Sequence, residues 1–289
     1  MRFSNDGKLV YHTAGVGVVM DTKTNTQKFF RDHRSDILCL AINPAGTICV
    51  TGEASSHLCV WDIASQTLIE KVSKPMKKGI RHVAFSPNGK YIATSDMTDD
   101  HVCTIFELLA KKDKNGKMLT QIATGNGGKA NVMSIGFNGT SDQVVATCVK
   151  EVLFYSWSTG KITSKKGSGW GTGIQAADTI LSQAVVGNTL FTGNVAGEII
   201  SWNENSISKR NKAHLERVNC LYATSGGLIS GGGDGMVYTW TVNGGAITLS
   251  KTYSLKSEEI HAALQAVISV CEKDGKILVG TRGGEIVEF

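Results

Sequence analysis

The feature that most constrains this chain is an apolar segment that recurs seven times at spacings of 38 to 51 residues. Each copy follows a turn and alternates like the second strand of a β-hairpin. The equivalent positions are Met20, Trp61, Phe106, Trp157, Trp202, Trp240 and Phe289. Because a repeat of this length cannot bury its apolar face alone, the copies are expected to stack on one another.

The clearest copy is Leu228–Trp240, with the sequence LISGGGDGMVYTW. The Gly-Asp-Gly turn, the terminal Trp and a period of about 40 to 45 residues are typical of a WD-repeat blade, whereas Kelch repeats run to about 50. In such a blade, four polar side chains can form one hydrogen-bonded structural tetrad. Those residues are His214, Ser230, Asp234 and Trp240. We predict an all-β fold, a seven-bladed WD-repeat β-propeller formed by residues 1–289 as a single domain.

The two ends of the sequence affect how such a propeller closes. Propellers usually pair strands from both chain ends in one blade, which removes exposed sheet edges. Here the seventh repeat reaches Phe289 after its third strand-like segment, and no free segment precedes Phe3. We therefore expect the seventh blade to lack its outer strand and the chain to be a fragment of a longer protein.

Composition disfavours several other classes of protein. The chain has 33 Gly and only 3 Pro, as expected for many tight β-turns. No apolar run approaches the roughly 18 residues that span a bilayer, and no signal-peptide segment follows Met1, so we expect no membrane partner. Seven cysteines are scattered in apolar segments without CxxC pairs, which favours buried thiols over disulfides or a zinc site.

Five stretches of the chain carry a resemblance to a known family. They are QKFFRDHRSDILCLAINP (Gln27–Pro44), DDHVCTIFE (Asp99–Glu107), FYSWSTGKITSKKG (Phe154–Gly167), TGNVAGEIISW (Thr192–Trp202) and GGLISGGGDGMVYTW (Gly226–Trp240). In register from about Phe3 to Phe289, the sequence resembles the first, N-terminal WD-repeat propeller of the tandem-propeller domain in the echinoderm microtubule-associated protein-like family.

This resemblance implies a partner and a location. Members bind tubulin or microtubules, so it implies tubulin or microtubules as partners and a cytoplasmic place at the cytoskeleton, including a cilium or flagellum. The family's hydrophobic motif before the first propeller and its second propeller are absent from the sequence. The polar, charged loop expected at Gly167–Gly173 is replaced by GSGWGTG. Tubulin contact is attributed to the concave propeller face, so no individual contact residue is carried over.

The charge distribution gives an independent argument for an acidic partner. Residues Met1–Lys166 hold 21 Lys and Arg against 14 Asp and Glu, whereas Gly167–Phe289 hold 9 against 11. Basic loops on the top rim would attract acidic tails such as those of tubulin, and less so at high salt. The candidate binding residues are Lys74, Lys77, Lys78, Arg81, Lys165, Lys166, Trp170, Lys209, Arg210, Lys212 and Arg217.

Two observations leave alternatives open for these residues. Hairpin turns on the same rim carry acids, so the basic residues could be ordinary solvated charges. These acids are Glu53, Asp96, Asp99, Asp100, Glu151, Glu198, Asp234 and Glu285. Trp170 could be an exposed contact residue or could pack into a neighbouring blade.

Other candidate sites have weaker sequence support. The Gly-rich stretches Thr124–Lys129 and Gly167–Gly173 lack the spacing and the following helix of a phosphate loop. Asp96, Asp99 and Asp100 lack the calcium-loop pattern. His33 and His214 occupy tetrad positions rather than catalytic ones.

Three function classes follow from this sequence. We favour a non-enzymatic propeller that binds microtubules or tubulin through its top-face loops and concave surface. The alternative is a general WD-repeat protein-interaction scaffold in a ciliary or other cytoskeletal assembly with a non-tubulin partner. An enzyme would need ionisable residues on the channel-lining strands, which we expect to be apolar and small. We expect no enzymatic activity, no cofactor, no metal and no nucleic-acid partner.

Overall fold

The computed structural model describes residues 1–158, 160–171, 178–256, 261 and 264–289. All 27 elements assigned in these residues are β-strands. The chain divides into two compact units, each described by itself below. Unit 1 is Met1–Val144 with Tyr155–Ser164, and unit 2 is Val145–Phe154 with Lys165–Phe289.

Unit 1 contains the first three blades, in which consecutive strands pair antiparallel in chain order. The first blade comprises β1 (Arg2–Phe3), β2 (Leu9–Thr13), β3 (Val16–Asp21) and β4 (Thr26–Phe30). The second comprises β5 (Ile37–Ile42), β6 (Ile48–Glu53), β7 (His57–Asp62) and β8 (Leu68–Ser73). The third comprises β9 (Ile80–Phe85), β10 (Tyr91–Asp96), β11 (Cys103–Leu108) and β12 (Leu119–Gly125).

The fourth blade is joined to the third by backbone pairing. It comprises β13 (Val132–Phe137), β14 (Gln143–Cys148), β15 (Glu151–Ser158) and β16 (Gly160–Lys166). Strand β16 pairs in parallel with β12, through Ala123 with Gly160 and Thr124 with Lys161. The two blades therefore form one eight-stranded sheet, in the order β13-β14-β15-β16-β12-β11-β10-β9.

Unit 2 contains the last three blades. The fifth comprises β17 (Ile180–Val186), β18 (Thr189–Asn194), β19 (Glu198–Asn203) and β20 (Ser206–Lys212). The sixth comprises β21 (Val218–Ala223), β22 (Gly227–Gly232), β23 (Met236–Asn243) and β24 (Ala246–Ser254). The seventh comprises β25 (Val267–Lys273), β26 (Lys276–Thr281) and β27 (Ile286–Glu288). Among the described residues this last sheet has three strands, and the predicted seven-bladed WD-repeat propeller is confirmed.

The apolar core of each unit lies between adjacent blades. In unit 1, the fully buried Trp61 of β7 stacks on Phe30 of β4 at 4.8 Å between ring centroids, with an angle of 5° between the rings. In unit 2, Trp202 of β19 meets Phe154 of β15 edge-on at 5.6 Å. Alternate residues of one hairpin thus face the preceding blade, which explains why the apolar segment recurs once per blade.

Close packing of the next blade explains a recurrent glycine. Gly52, Gly193 and Gly231 each stand nine residues before the Trp of their hairpin. A Cβ on Gly52 would lie 2.6 Å from Cγ2 of Ile80, the first residue of the next blade. A Cβ on Gly193 would lie 2.6 Å from Cγ1 of Val218. The absence of a side chain at these positions therefore lets neighbouring sheets approach.

Candidate functional site

The sixth blade brings the four tetrad residues together. His214 is 2 % exposed, and its Nε2 lies 2.8 Å from Ser230 Oγ while its Nδ1 lies 3.0 Å from Asp234 Oδ1. The Trp240 indole N–H donates to Ser230 Oγ at 2.9 Å. Asp234 also accepts the backbone N–H of Leu215. The network ties the segment before β21 to the hairpin of the same blade and gives buried polar groups partners.

The second blade has an equivalent network that sequence reasoning identified only at His33. Nε2 of His33 lies 2.7 Å from Thr51 Oγ1, which also accepts the Trp61 indole N–H at 3.2 Å. Nδ1 of His33 lies 2.6 Å from Glu53 Oε2. Glu53 follows the hydroxyl residue by two positions, whereas Asp234 follows Ser230 by four. Because of this different spacing and its longer side chain, Glu53 does not match the Gly-Asp-Gly pattern by which Asp234 was recognised.

Glu53 is the most heavily bonded side chain of the second-blade network. Its carboxylate accepts hydrogen bonds from His33, from the Arg34 N–H at 3.0 Å, from His57 Nδ1 at 2.5 Å and from the Ser55 hydroxyl. Burial alone would raise the pKa of Glu53, but the bonds from Ser55 and His33 and the Arg34 N–H lower it to about 2. A carboxylate held this strongly in its charged form is suited to fixing the loop rather than to accepting a proton near neutral pH.

A hydroxyl ten residues before Trp recurs in the fifth blade. The Trp202 indole N–H donates to Thr192 Oγ1 at 2.9 Å. Asn194 stands where Glu53 stands in the second blade, and it accepts the Glu198 N–H at 2.8 Å. The Ser or Thr at this spacing is therefore a sequence signal that could have located all three networks.

Three predicted lysines lie in an exposed loop of unit 1, which we call the basic loop. Lys74, Lys77 and Lys78 are all exposed and lie between β8 and β9. The Ser56 hydroxyl donates to the Met76 carbonyl at 2.8 Å, and the Met76 side chain is buried. The loop is thus anchored at its centre while its ammonium groups remain in water.

Arg81 lies on strand β9 rather than in the basic loop. It lines a cavity of about 510 Å³ in unit 1, together with His12, His82, Leu38 and Met97. Burial lowers the pKa of His82 to about 4 and also lowers the pKa of His12. The lining of this cavity thus includes a cation and an imidazole from two consecutive residues of β9, Arg81 and His82.

The predicted residues that end the fourth blade are less available than their sequence suggests. Lys165 and Lys166 lie at the end of β16 rather than in a loop, and Lys166 Nζ pairs with Glu151 Oε2 at 2.7 Å. Trp170 is half-buried and packs edge-on against Trp202 at 5.5 Å. Of the two interpretations of Trp170, this geometry favours packing against the neighbouring blade. Residues 172 and 173 of the Gly-rich stretch lie outside the described residues.

The third predicted basic group is mostly part of a strand. Lys209, Arg210 and Lys212 lie on β20, the outer strand of the fifth blade, whereas Arg217 is an exposed loop residue. Arg210 Nη2 pairs with Glu198 Oε2 at 2.7 Å, and Lys212 Nζ donates to the carbonyl of Ala196. Basic residues suit an outer edge strand, because they discourage pairing with other strands.

Several acidic residues that the sequence placed among the exposed charges of the top rim have buried side chains. Glu53 is fully buried, Asp96 is 1 % exposed and the Asp234 side chain is 4 % exposed. The Asp96 carboxylate accepts the backbone N–H groups of Thr98 and Val102 and so holds its own turn. Within the described residues, no group of three or more His, Cys, Asp or Glu side chains is arranged to hold a metal ion.

Comparison with known proteins identifies the family. The family model of the echinoderm microtubule-associated protein first β-propeller matches residues 26–289. The Ciliary WD repeat-containing protein ctxp80 of Euplotoides octocarinatus is 29 % identical over 312 residues, covering 99 % of this chain and 40 % of that protein. Echinoderm microtubule-associated protein-like 4 of Homo sapiens is 25 % identical over 265 residues, covering 81 % and 26 %.

The chain thus spans 40 % or less of the length of these relatives. Among solved structures, a chain of the mitotic checkpoint complex superposes with a TM-score of 0.77 at 13 % identity, covering 99 % of this chain and 85 % of that one. The Cps50 (Swd1) β-propeller domain of Myceliophteria thermophila gives a TM-score of 0.69, also at 13 % identity. At such identities these likenesses establish the fold alone. The family model covers most of the chain, and this chain therefore belongs to the family of the echinoderm microtubule-associated protein first β-propeller.

Proposed function

We propose that this protein is a non-enzymatic binding module for microtubules, and that the tubulin surface is its acidic partner. Family membership over residues 26–289 supports the class of partner, and the names of the human and Xenopus relatives carry the same association with microtubules. The proposed location is therefore cytoplasmic and cytoskeletal. The chemistry of binding is argued from unit 1, where the exposed charge is strongest.

The observation that carries the binding proposal is the basic loop beside β9. Lys74, Lys77 and Lys78 are exposed with no acid between them, and Arg81 follows at the cavity. The nearby hairpin acid Glu53 is buried and already accepts four hydrogen bonds. Glu53 therefore forms no ion pair with the lysines of the basic loop. Their exposed positive charge favours an acidic partner and salt-sensitive association.

A second function is favoured by a separate observation. The ciliary WD repeat-containing relative matches 99 % of this chain. A WD-repeat interaction scaffold in a cilium or another cytoskeletal assembly, with a partner other than tubulin, is therefore the alternative proposal. Propellers with the same fold serve many functions, so binding data rather than architecture separate the two.

The test is microtubule co-sedimentation of the 289-residue chain over a salt series. We expect the parent to pellet at low salt and to be released as salt rises. Charge reversal of Lys74, Lys77 and Lys78 to Glu should weaken association by about tenfold or more, because each exposed charge contact is worth up to about 1 kcal/mol. The salt dependence of the variant should be flatter.

A matched variant controls for net charge. Lys23, Lys28 and Lys161 are exposed lysines on other elements of unit 1, and their reversal to Glu changes the total charge equally. This control should pellet like the parent. Equal loss in both variants would refute a specific role for the basic loop, and a parent that does not pellet at any salt would favour the scaffold alternative.

A further inference from the structure

A second basic segment lies in the third blade, away from the residues considered above. The connection between β11 and β12 carries four exposed lysines, and we call it the lysine-rich loop. These residues are Lys111, Lys112, Lys114 and Lys117. The loop is closed by the Leu109 N–H, which donates to the Met118 carbonyl at 2.8 Å. It is therefore an ordered projection with its ammonium groups in water.

The acids around this loop are already engaged. The Asp113 carboxylate accepts the backbone N–H groups of Asn115 and Lys117, both at 2.8 Å, and so forms the turn itself. Glu70 accepts the Met118 N–H at 2.9 Å. In the part of the chain that the structure describes, no carboxylate oxygen lies within 4.0 Å of the ammonium nitrogen of any lysine of the lysine-rich loop. These four charges are available to a partner.

An apolar groove adjoins the lysine-rich loop. Its volume is about 550 Å³, and it lies between the second and third blades within unit 1. The apolar lining includes Ile48, Ile69, Leu108, Leu109 and Met118. Lys90 stands at its edge and pairs with Glu107 at 2.9 Å. A concave apolar surface next to unpaired cations matches a ligand that is both anionic and apolar.

We propose that this groove binds an extended acidic peptide segment of a partner protein, with apolar side chains in the groove and carboxylates on the lysine-rich loop. The apolar lining residues that belong to strands are Ile48, Ile69 and Leu108. Each is partly buried and does not project from the surface. A bilayer requires projecting apolar side chains, whereas a recessed groove accepts side chains from a peptide. The site is separate from the basic loop and does not depend on the proposed function.

Fluorescence anisotropy of a labelled peptide of alternating Glu and Leu, added to the 289-residue chain, tests this site. We expect saturable binding that weakens with salt. Changing the four lysines of the lysine-rich loop to Gln should weaken binding by about tenfold or more. Ala110→Glu, at an exposed groove-lining position, should weaken binding by adding a carboxylate without disturbing the core.

A second protein variant, a second peptide and anionic lipid vesicles serve as controls. The variant with Lys74, Lys77 and Lys78 changed to Glu should bind the peptide like the parent, and so should not mimic loss of the lysine-rich loop. A peptide with every Leu changed to Gln should bind at least about tenfold more weakly, because its apolar contacts are lost. Equal binding of this Gln peptide, undiminished binding by the lysine-rich loop variant, or binding of anionic lipid vesicles in place of the peptide would overturn the proposal.

Discussion

Replacing Glu53 by Gln should destabilise the protein, although the two side chains have the same shape. Each carboxylate oxygen accepts two hydrogen bonds, from Ser55 and His57 on one side and from His33 and the Arg34 N–H on the other. An amide has one accepting oxygen and one donating nitrogen. Two of the four hydrogen bonds would therefore lose their charged accepting oxygen.

The size of the effect follows from those two bonds. Hydrogen bonds to a charged group contribute about 1.5 to 3 kcal/mol each. Ser55 is exposed, so the amide nitrogen would turn to that side, where water can relieve the mismatch. We therefore expect a loss near the lower end, about 3 kcal/mol. For a chain of this length the unfolding entropy is about 0.6 kcal/mol per degree, which gives a fall in Tm of about 5 °C.

Thermal unfolding followed by circular dichroism measures this change, with the exposed Asp36→Asn as the control. Because the pKa of Glu53 is depressed to about 2, its charge stabilises the fold above about pH 4.5, and this contribution is lost as the pH falls towards 2. The gap between parent and variant should therefore narrow in that range. A Glu53→Gln variant that melts within about 1 °C of the parent at neutral pH would refute this account of the network.

Two further predictions concern other buried groups. Asp234→Ala should lower the free energy of unfolding by about 1 to 3 kcal/mol, because His214 loses its acceptor; a melting curve identical to that of the parent would exclude this role. Burial depresses the pKa of His82 to about 4, so the unfolded chain binds the extra proton first as the pH falls below about 6.5. Stability measured by urea unfolding should therefore fall by about 2 kcal/mol from about pH 7 to about pH 5, and by less in His82→Gln; an equal fall in both would contradict it.

The repeat made the blades predictable, because one face of each hairpin must be apolar in every copy. In three blades the Trp indole bonds to a hydroxyl ten residues earlier, at Trp61, Trp202 and Trp240. This constant spacing allows the register of those hairpins to be predicted from the sequence. The parallel pairing of Ala123 with Gly160 left no such signal. This pairing is made by backbone N–H and C=O groups, which every residue except proline carries, so no particular residue type marks it in the sequence.

The candidate site was less predictable, because a charge in the sequence does not reveal its partner. Glu53 and Asp96 look like surface acids of a turn, but both are buried as acceptors of local hydrogen bonds. Arg210 looks like a free loop cation, but it pairs with Glu198 on the adjacent strand. Among the predicted binding residues that the structure describes, Lys74, Lys77, Lys78 and Arg217 combine the predicted loop position with exposure.

The parallel pairing between β12 and β16 limits how the repeats can be rearranged. In repeat proteins each unit contacts only its neighbours, so one unit can be replaced by a consensus copy if the contact surface is kept. Here the third and fourth blades share a hydrogen-bonded ladder at Thr124 and Lys161. A consensus third blade would have to reproduce the length and register of β12 as well as its surface. In an engineered propeller, the third and fourth blades would therefore have to be replaced together.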